Sequence, residues 1–296
     1  MAPEAANSRV IERFNNGLVG VDDVLKATTA AIRKNTNNWQ AAKACLDALQ
    51  QCRHPVTREA VTPDVIVFNA LISACERTGR VDDALRMFAD LEQGRLARGV
   101  FPNTITYNAV ISACEKAERA DDALRMFARL EENGPARGVF PNTITYNAVI
   151  SACEKADRQD AVSELLDKAI AGKVFKASLG FDAKLNKLDL HEGTVATVRT
   201  GTGREGGISS PTAKAIFRRL SNEGVINDKT EIVVGHRGSG ALKDALAQCM
   251  RDQGWVPVHP LGLSGMPNPG ALVGSSAASV ARPRDGHGSR PGTSRR

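Results

Sequence analysis

Aromatic side chains are scarce, at 4% of 296 residues, with only two Trp and two Tyr. A helix-rich array packed through alanine and other small residues tolerates such a shortage. Cysteine is sparse too: the six present include no Cys-x-x-Cys pair, and Cys75, Cys114 and Cys153 recur at one spacing. That pattern excludes a disulfide framework and fits a reducing compartment. No apolar run is long enough to cross a bilayer, so no membrane partner is expected. Nor is an organelle transit peptide visible. The stretch up to Gln51 carries Glu4, Glu12, Asp22 and Asp23, whereas such leaders are rich in Arg and poor in acids.

What the sequence does have is repetition. Residues 97–117, ARGVFPNTITYNAVISACEKA, recur letter for letter at 136–156, and a looser copy, TPDVIVFNALISACE, begins at Thr62. Pro63, Pro102 and Pro141 set a period of 39 residues. A fixed period of this size marks a solenoid, because one unit cannot bury its own apolar face and must stack on its neighbours. Within the unit, Tyr107, Val110, Ile111 and Cys114 fall at i, i+3, i+4 and i+7. Beyond the polar break at Glu118 and Arg119, Ala120, Ala123, Leu124, Phe127 and Leu130 do much the same. Each unit is thus two antiparallel helices. Thr104 or Thr106 is the expected N-cap behind Pro102, and Gly134 is placed to end the second helix. The fold class is an α-α superhelical solenoid of helical repeats.

Polar residues recur as well. Asn69, Asn108 and Asn147 follow the apolar-stripe aromatics Phe68, Tyr107 and Tyr146 by one residue, so they point off the stripe and form a ladder. A second ladder, Asp64, Asn103 and Asn142, precedes each first helix. Ser73, Ser112 and Ser151 lie one turn along, and Arg77, Lys116 and Lys155 stand near the helix end. Together they describe a polar face with a basic edge, offering amides to bases and cations to phosphates. The alternative is that the asparagines only cap helix starts.

The block FPNTITYNAVISACEKAERADDALRMFARLE resembles the pentatricopeptide repeat, over about residues 65–177, in units 65–103, 104–142 and 143–177. In that family each repeat takes one base of single-stranded RNA, using a residue early in the first helix and the last residue of the repeat. The resemblance therefore implies single-stranded RNA as partner, read by Asn69 with Asn103 and by Asn108 with Asn142. Asn147 would pair with Ala177, which has no amide. Asn/Asn pairs imply pyrimidines, and the family's usual setting is mitochondrion or plastid. The copies are four residues longer than the common form, with the excess expected around residues 134–138.

Ahead of the repeats, residues 1–27 read as an extension and 28–64 as a degenerate capping repeat, with Ile32 before a turn and Trp39, Ala42, Leu46 and Leu49 after it. Behind them the pattern changes. KLNKLDLHEGTV, TEIVVGH and WVPVHPL read as strands, and SSPTAKAIFRRLSNEG and SGALKDALAQCMRDQG as helices, the first capped by Ser209 or Ser210 and ended by Gly224. That order argues for a small α/β sandwich over 187–263. Residues 264–296 are rich in Gly, Pro, Ser and Ala and read as a disordered basic tail. Five arginines against Asp285 give that tail +4 of the chain's net +6.

Leu188-Asp189-Leu190-His191 and Val234-Gly235-His236-Arg237 resemble the paired signatures of the Smr domain, over about residues 187–261. The resemblance implies metal-dependent nicking of nucleic acid, with Asp189, His191, Gly235 and Arg237 as catalytic positions and Asp189 as the ligand of a magnesium ion. A carboxylate can hold a hard cation and a histidine can pass protons beside a scissile phosphate. In the second motif Val234 stands where the family has Thr, and Arg237 where it has Gly. Between the motifs Gly201, Gly203 and Gly206 spell the glycine spacing of a dinucleotide fold. The following strand ends in Gly235 and His236 rather than the acidic residue that fold requires.

Three bases, at about 1–3 kcal/mol each, cannot define a unique transcript. The expected activity is therefore modest RNA selectivity in RNA processing, within a longer array or beside other RNA-processing proteins. A non-catalytic RNA-binding or a protein-scaffolding helical repeat protein is the alternative.

Overall fold

The computed structural model describes residues 3–97, 99–175, 179, 181–184, 187–190, 209–227, 230–233, 240–259 and 271–276, in two compact units. The first unit is a helical repeat solenoid. Its helices are α1 (Pro3–Asn15), α2 (Val21–Lys34), α3 (Trp39–Gln51), α4 (Val65–Arg77), α5 (Val81–Glu92), α6 (Thr104–Lys116), α7 (Ala120–Asn133), α8 (Thr143–Lys155) and α9 (Gln159–Ala171). The helices α2, α4, α6 and α8 stack directly on one another, whereas α5, α7 and α9 each pack on the first helix of a unit instead. The first helices thus form one layer and the second helices another. None of the described helices is long and apolar enough to cross a membrane.

The apolar stripe behaves as its spacing predicts. Tyr107, Val110, Ile111 and Cys114 are all buried, and so are Tyr146, Val149, Ile150 and Cys153. Rings lock successive units together: Phe88 meets Tyr107 edge-on at 4.8 Å, and Phe127 meets Tyr146 at 5.2 Å. Each aromatic pair contributes about 0.5–1.5 kcal/mol beyond the area it buries. Truncating Tyr107 to Ala would also leave a cavity, costing about 3 kcal/mol or more.

The helix starts differ from expectation. Asn103 and Asn142 are the N-caps, accepting from the backbone N–H of Thr106 and Thr145 at 3.1 Å, and Asp64 accepts from Val67 at 2.9 Å. The threonines complete a reciprocal box by accepting from the cap N–H at 3.0 Å. An amide one residue earlier wins because its oxygen reaches the third helical N–H, which a helical Thr cannot do. Gly134 does end α7, and a Cβ there would lie 2.2 Å from the Val139 carbonyl oxygen. The added loop residues form a short 3-10 turn, Pro135–Arg137, closed by Gly138 at φ +68°.

The N-terminal unit begins earlier than residue 28. Helix α2 starts at Val21, and α1 packs against it, so the stretch 1–27 is not a bare extension. Phe14, Val24 and Ile32 are buried in that packing, an apolar set spread over two helices and hard to see from either alone.

The second unit holds α10 (Ser210–Asn222) and α11 (Gly240–Asp252) with β1 (Phe181–Asp182), β2 (Lys187–Asp189), β3 (Glu231–Val233), β4 (Trp255–Val258) and β5 (Ala271–Ser276). The sheet runs β1-β2-β3-β5-β4; β2 and β3 are parallel and the other pairs antiparallel. Ser209 caps α10, whose Ile216, Phe217 and Leu220 are buried, and Phe217 meets Trp255 at 5.5 Å. Reading 264–296 as disordered is corrected for residues 271–276. They form β5, in the sheet interior, pairing with β3 on one side and β4 on the other. Its Ala-Leu-Val start sits inside a Gly- and Ser-rich stretch, so composition masks a strand that long-range pairing stabilises.

Candidate nucleic-acid interface

The two asparagine ladders meet. Asn69 Nδ2 donates to Asn103 Oδ1 at 3.3 Å, and Asn108 Nδ2 donates to Asn142 Oδ1 at 3.3 Å, each across a repeat junction. The hydroxyls of Thr106 and Thr145 donate to Asn69 Oδ1 and Asn108 Oδ1 at 2.7 and 2.6 Å. Asn69 is 8% exposed, so it belongs to the junction rather than to an open face. Capping and pairing are thus the same arrangement. A backbone N–H can only donate, so the cap bond fixes each amide with Oδ1 inward and Nδ2 outward. Among the described residues, Asn103 Nδ2 and Asn142 Nδ2 spend no hydrogen on the protein.

Two residues unused in the sequence reading stand beside these amides. Ile66 and Ile105 follow the cap by two positions and are 50% and 63% exposed. Both lie off the buried stripe, and an apolar residue out of phase with a helix's own periodicity was the available signal. Burial would be the usual fate of such side chains, so a ladder of exposed isoleucines flanking polar amides offers flat apolar contacts to planar ligands.

The lysines of the expected basic edge hold partners within the stack. Lys116 and Ser112 both donate to Glu76, at 2.6 and 2.8 Å, and Lys155 and Ser151 both donate to Glu115, at 3.1 and 2.6 Å. Each acid comes from the preceding unit, so Lys116 and Lys155 are neutralised within the stack. Among the described residues Arg77 meets no carboxylate, and it donates to Asn37 at 3.4 Å. The outer helices repeat the scheme, with Arg119 on Asp82, Arg158 on Asp121, Arg129 on Glu92 and Lys168 on Glu131. Such exposed pairs contribute about 0–1 kcal/mol each, but together they penalise any shift of register between units.

Of the remaining positions, Asn147 is half-buried on α8, and its expected partner Ala177 lies outside the described residues. His191, Gly235 and Arg237 also lie outside them, as do Gly201, Gly203 and Gly206. The backbone of Asp189 closes β2 and pairs in register with Val233, the last residue of the parallel β3. The strands β2 and β3 thus end side by side at their carboxyl ends, where open α/β sheets bind ligands.

Two family models match the chain: the PPR repeat family over residues 102–155 and the pentatricopeptide repeat domain over residues 53–116. Residues 53–155 are thus similar to pentatricopeptide repeats. Neither match reaches the second unit. No curated protein matches the chain. Among solved structures, two of the pentatricopeptide repeat protein PPR10 in complex with an 18-nt psaJ RNA element are 14% identical, with a TM-score of 0.45. Each match covers 77% of this chain and 26% of that one. The structure of PPR10 from maize is 18% identical over 82% of this chain and 38% of that one, with a TM-score of 0.39. This chain thus spans well under half of the length of these proteins.

Proposed function

We propose that the pentatricopeptide repeats bind single-stranded RNA, one base at each repeat junction, and that the protein acts in RNA processing. The observation that carries this is the junction itself: an amide held with its donors outward, with exposed Ile66 and Ile105 on either side of the first junction and Ile105 beside the second. Stacking or apolar contact on a base contributes about 1–3 kcal/mol and accepts any ring, so identity falls to the amide. Asn103 and Asn142 offer donors. Cytosine presents two adjacent acceptors, O2 and N3, on its pairing edge, and uracil presents O2 and O4. Adenine and guanine present a single acceptor on that edge. The junctions at Asn69–Asn103 and Asn108–Asn142 therefore favour pyrimidines. Binding of labelled homopolymeric RNA to wild type and to Asn108→Ala tests this reading. A protein-scaffolding solenoid would show no RNA affinity at moderate salt.

A second reading concerns the other unit: an Smr-like, magnesium-assisted nicking of nucleic acid at Asp189 and His191, with Gly235 and Arg237. The backbone register of Asp189 with Val233 supports it, since the two parallel strands end together. There the carboxylate would hold the ion and the imidazole would move a proton to or from the scissile phosphate oxygens. A gel assay for nicks with and without magnesium tests it.

A further inference from the structure

The unit ahead of Asp64 was expected only to cap the stack, yet it is built like the others. Helix α2 begins behind Gly20 as α4, α6 and α8 begin behind Asp64, Asn103 and Asn142, and it packs on α4 as α4 packs on α6. Counted from those caps, Leu25 stands where Asn69 and Asn108 stand, and Arg33 where Arg77, Lys116 and Lys155 stand. Between α2 and the start of α4 lies an open cleft of about 490 Å³. Leu25, Ala30 and Ile66 give it apolar walls, and Lys26, Arg33 and Lys34 line it as well. Two carboxylates, Asp22 and Asp64, share the lining.

Charge sets this junction apart from those that follow. The glutamate that neutralises the next unit's cation, Glu76 or Glu115, is replaced here by Ile32, which is fully buried. Among the described residues no carboxylate pairs with Lys26, Arg33, Lys34 or Arg77. Uncompensated cations beside an apolar cleft are the complement of a nucleotide, an apolar ring carrying an anionic phosphate.

We propose that this cleft is an additional nucleotide slot at the N-terminal end of the read stretch, with the base against Leu25 and Ile66 and the phosphate on Arg33 and Lys34. The slot adds affinity without an amide to read the base, because Leu25, which stands where the pairing asparagines stand in later units, has no hydrogen-bonding group. The proposal rests on the RNA-binding reading above.

The test uses the full chain and a fluorescein-labelled 12-nt oligocytidine across a salt series. Arg33→Glu combined with Lys34→Glu is expected to weaken binding about tenfold at moderate salt and to flatten the salt slope by about 1.4, two phosphates' worth. The preference for oligocytidine over oligoadenosine should stay unchanged. Leu25→Asn is expected to add one selected base, flanking the positions read by the asparagine pairs, in random-pool selection. An unaltered slope in the double variant, or no added position with Leu25→Asn, overturns the slot while leaving the asparagine reading intact. Failure of the wild-type chain to bind RNA overturns both.

Discussion

Asn69 donates its side-chain amide to Asn103 at 3.3 Å across 34 residues of chain, and Asn103 in turn caps α6. One side chain thus starts a helix, joins two repeats and presents a donor outward. The roles separate by substitution. Asn142→Ala should cost about 1 kcal/mol of stability, the usual loss of a cap, together with pyrimidine selectivity. Asn142→Ser keeps a capping oxygen but not the amide, so thermal unfolding should change little while selectivity is lost. Equal selectivity in Asn142→Ser and wild type would remove Asn142 from base contact.

The glutamate ladder should act as a brake on phosphate binding. Glu76→Gln frees Lys116, and Glu115→Gln frees Lys155, from their inter-repeat pairs. Each variant should lose at most about 1 kcal/mol of stability. Each should also bind oligocytidine more tightly at low salt, with a salt slope steeper by about 0.7. A salt series by fluorescence anisotropy reads both effects.

Much of the solenoid was legible because its chemistry is periodic. A 39-residue period, a stripe at helical spacing and a glycine with no room for a Cβ each leave a local mark. Asn69 with Asn103 and Asn108 with Asn142 are paired by the resemblance to the pentatricopeptide repeat, a pairing which the spacing alone does not supply. What could not be read was which groups satisfy each other across a junction. Lys116 looks like a free cation until Glu76, 40 residues earlier, is placed beside it. The same holds for β5: Ala271 to Ser276 carries a weak strand signal and becomes a strand only through β3 and β4.

The cysteine ladder should be chemically silent in the native state. Burial pushes the Cys75 thiol up to about 12, and Cys114 and Cys153 to about 11, from an ordinary 9.0. The buried thiols therefore stay protonated and unreactive. Iodoacetamide at pH 8 should label none of the three until denaturant is added.

The same shifts set the alkaline limit of stability. Unfolded thiols ionise near 9.0, whereas the folded ones hold their protons to about 11 or 12. Between those values the unfolded state binds fewer protons, so stability falls as pH rises. Tyr107 and Tyr146, raised by burial from 10.0 to about 12, add to the fall above pH 10. Stability should be level below pH 8.5 and drop on the order of 1 kcal/mol per pH unit per thiol above 9. Urea midpoints from pH 7 to 11 check this.

For the second unit, magnesium-dependent nicking should vanish in Asp189→Ala and in His191→Ala while oligocytidine affinity stays within twofold of wild type. Nicking unchanged in both variants would remove these residues from the chemistry.

The central claim is that outward amides at two junctions choose the base. Its most direct measurement compares the equilibrium affinity of the full chain for 12-nt oligocytidine, oligouridine, oligoadenosine and oligoguanosine at one moderate salt concentration. Pyrimidine strands should bind at least about tenfold more tightly than purine strands, with the margin lost when Asn103→Ser and Asn142→Ser are combined, since one such contact is worth about 1–3 kcal/mol. Equal retention of all four strands, or a margin that survives in that double variant, would contradict it.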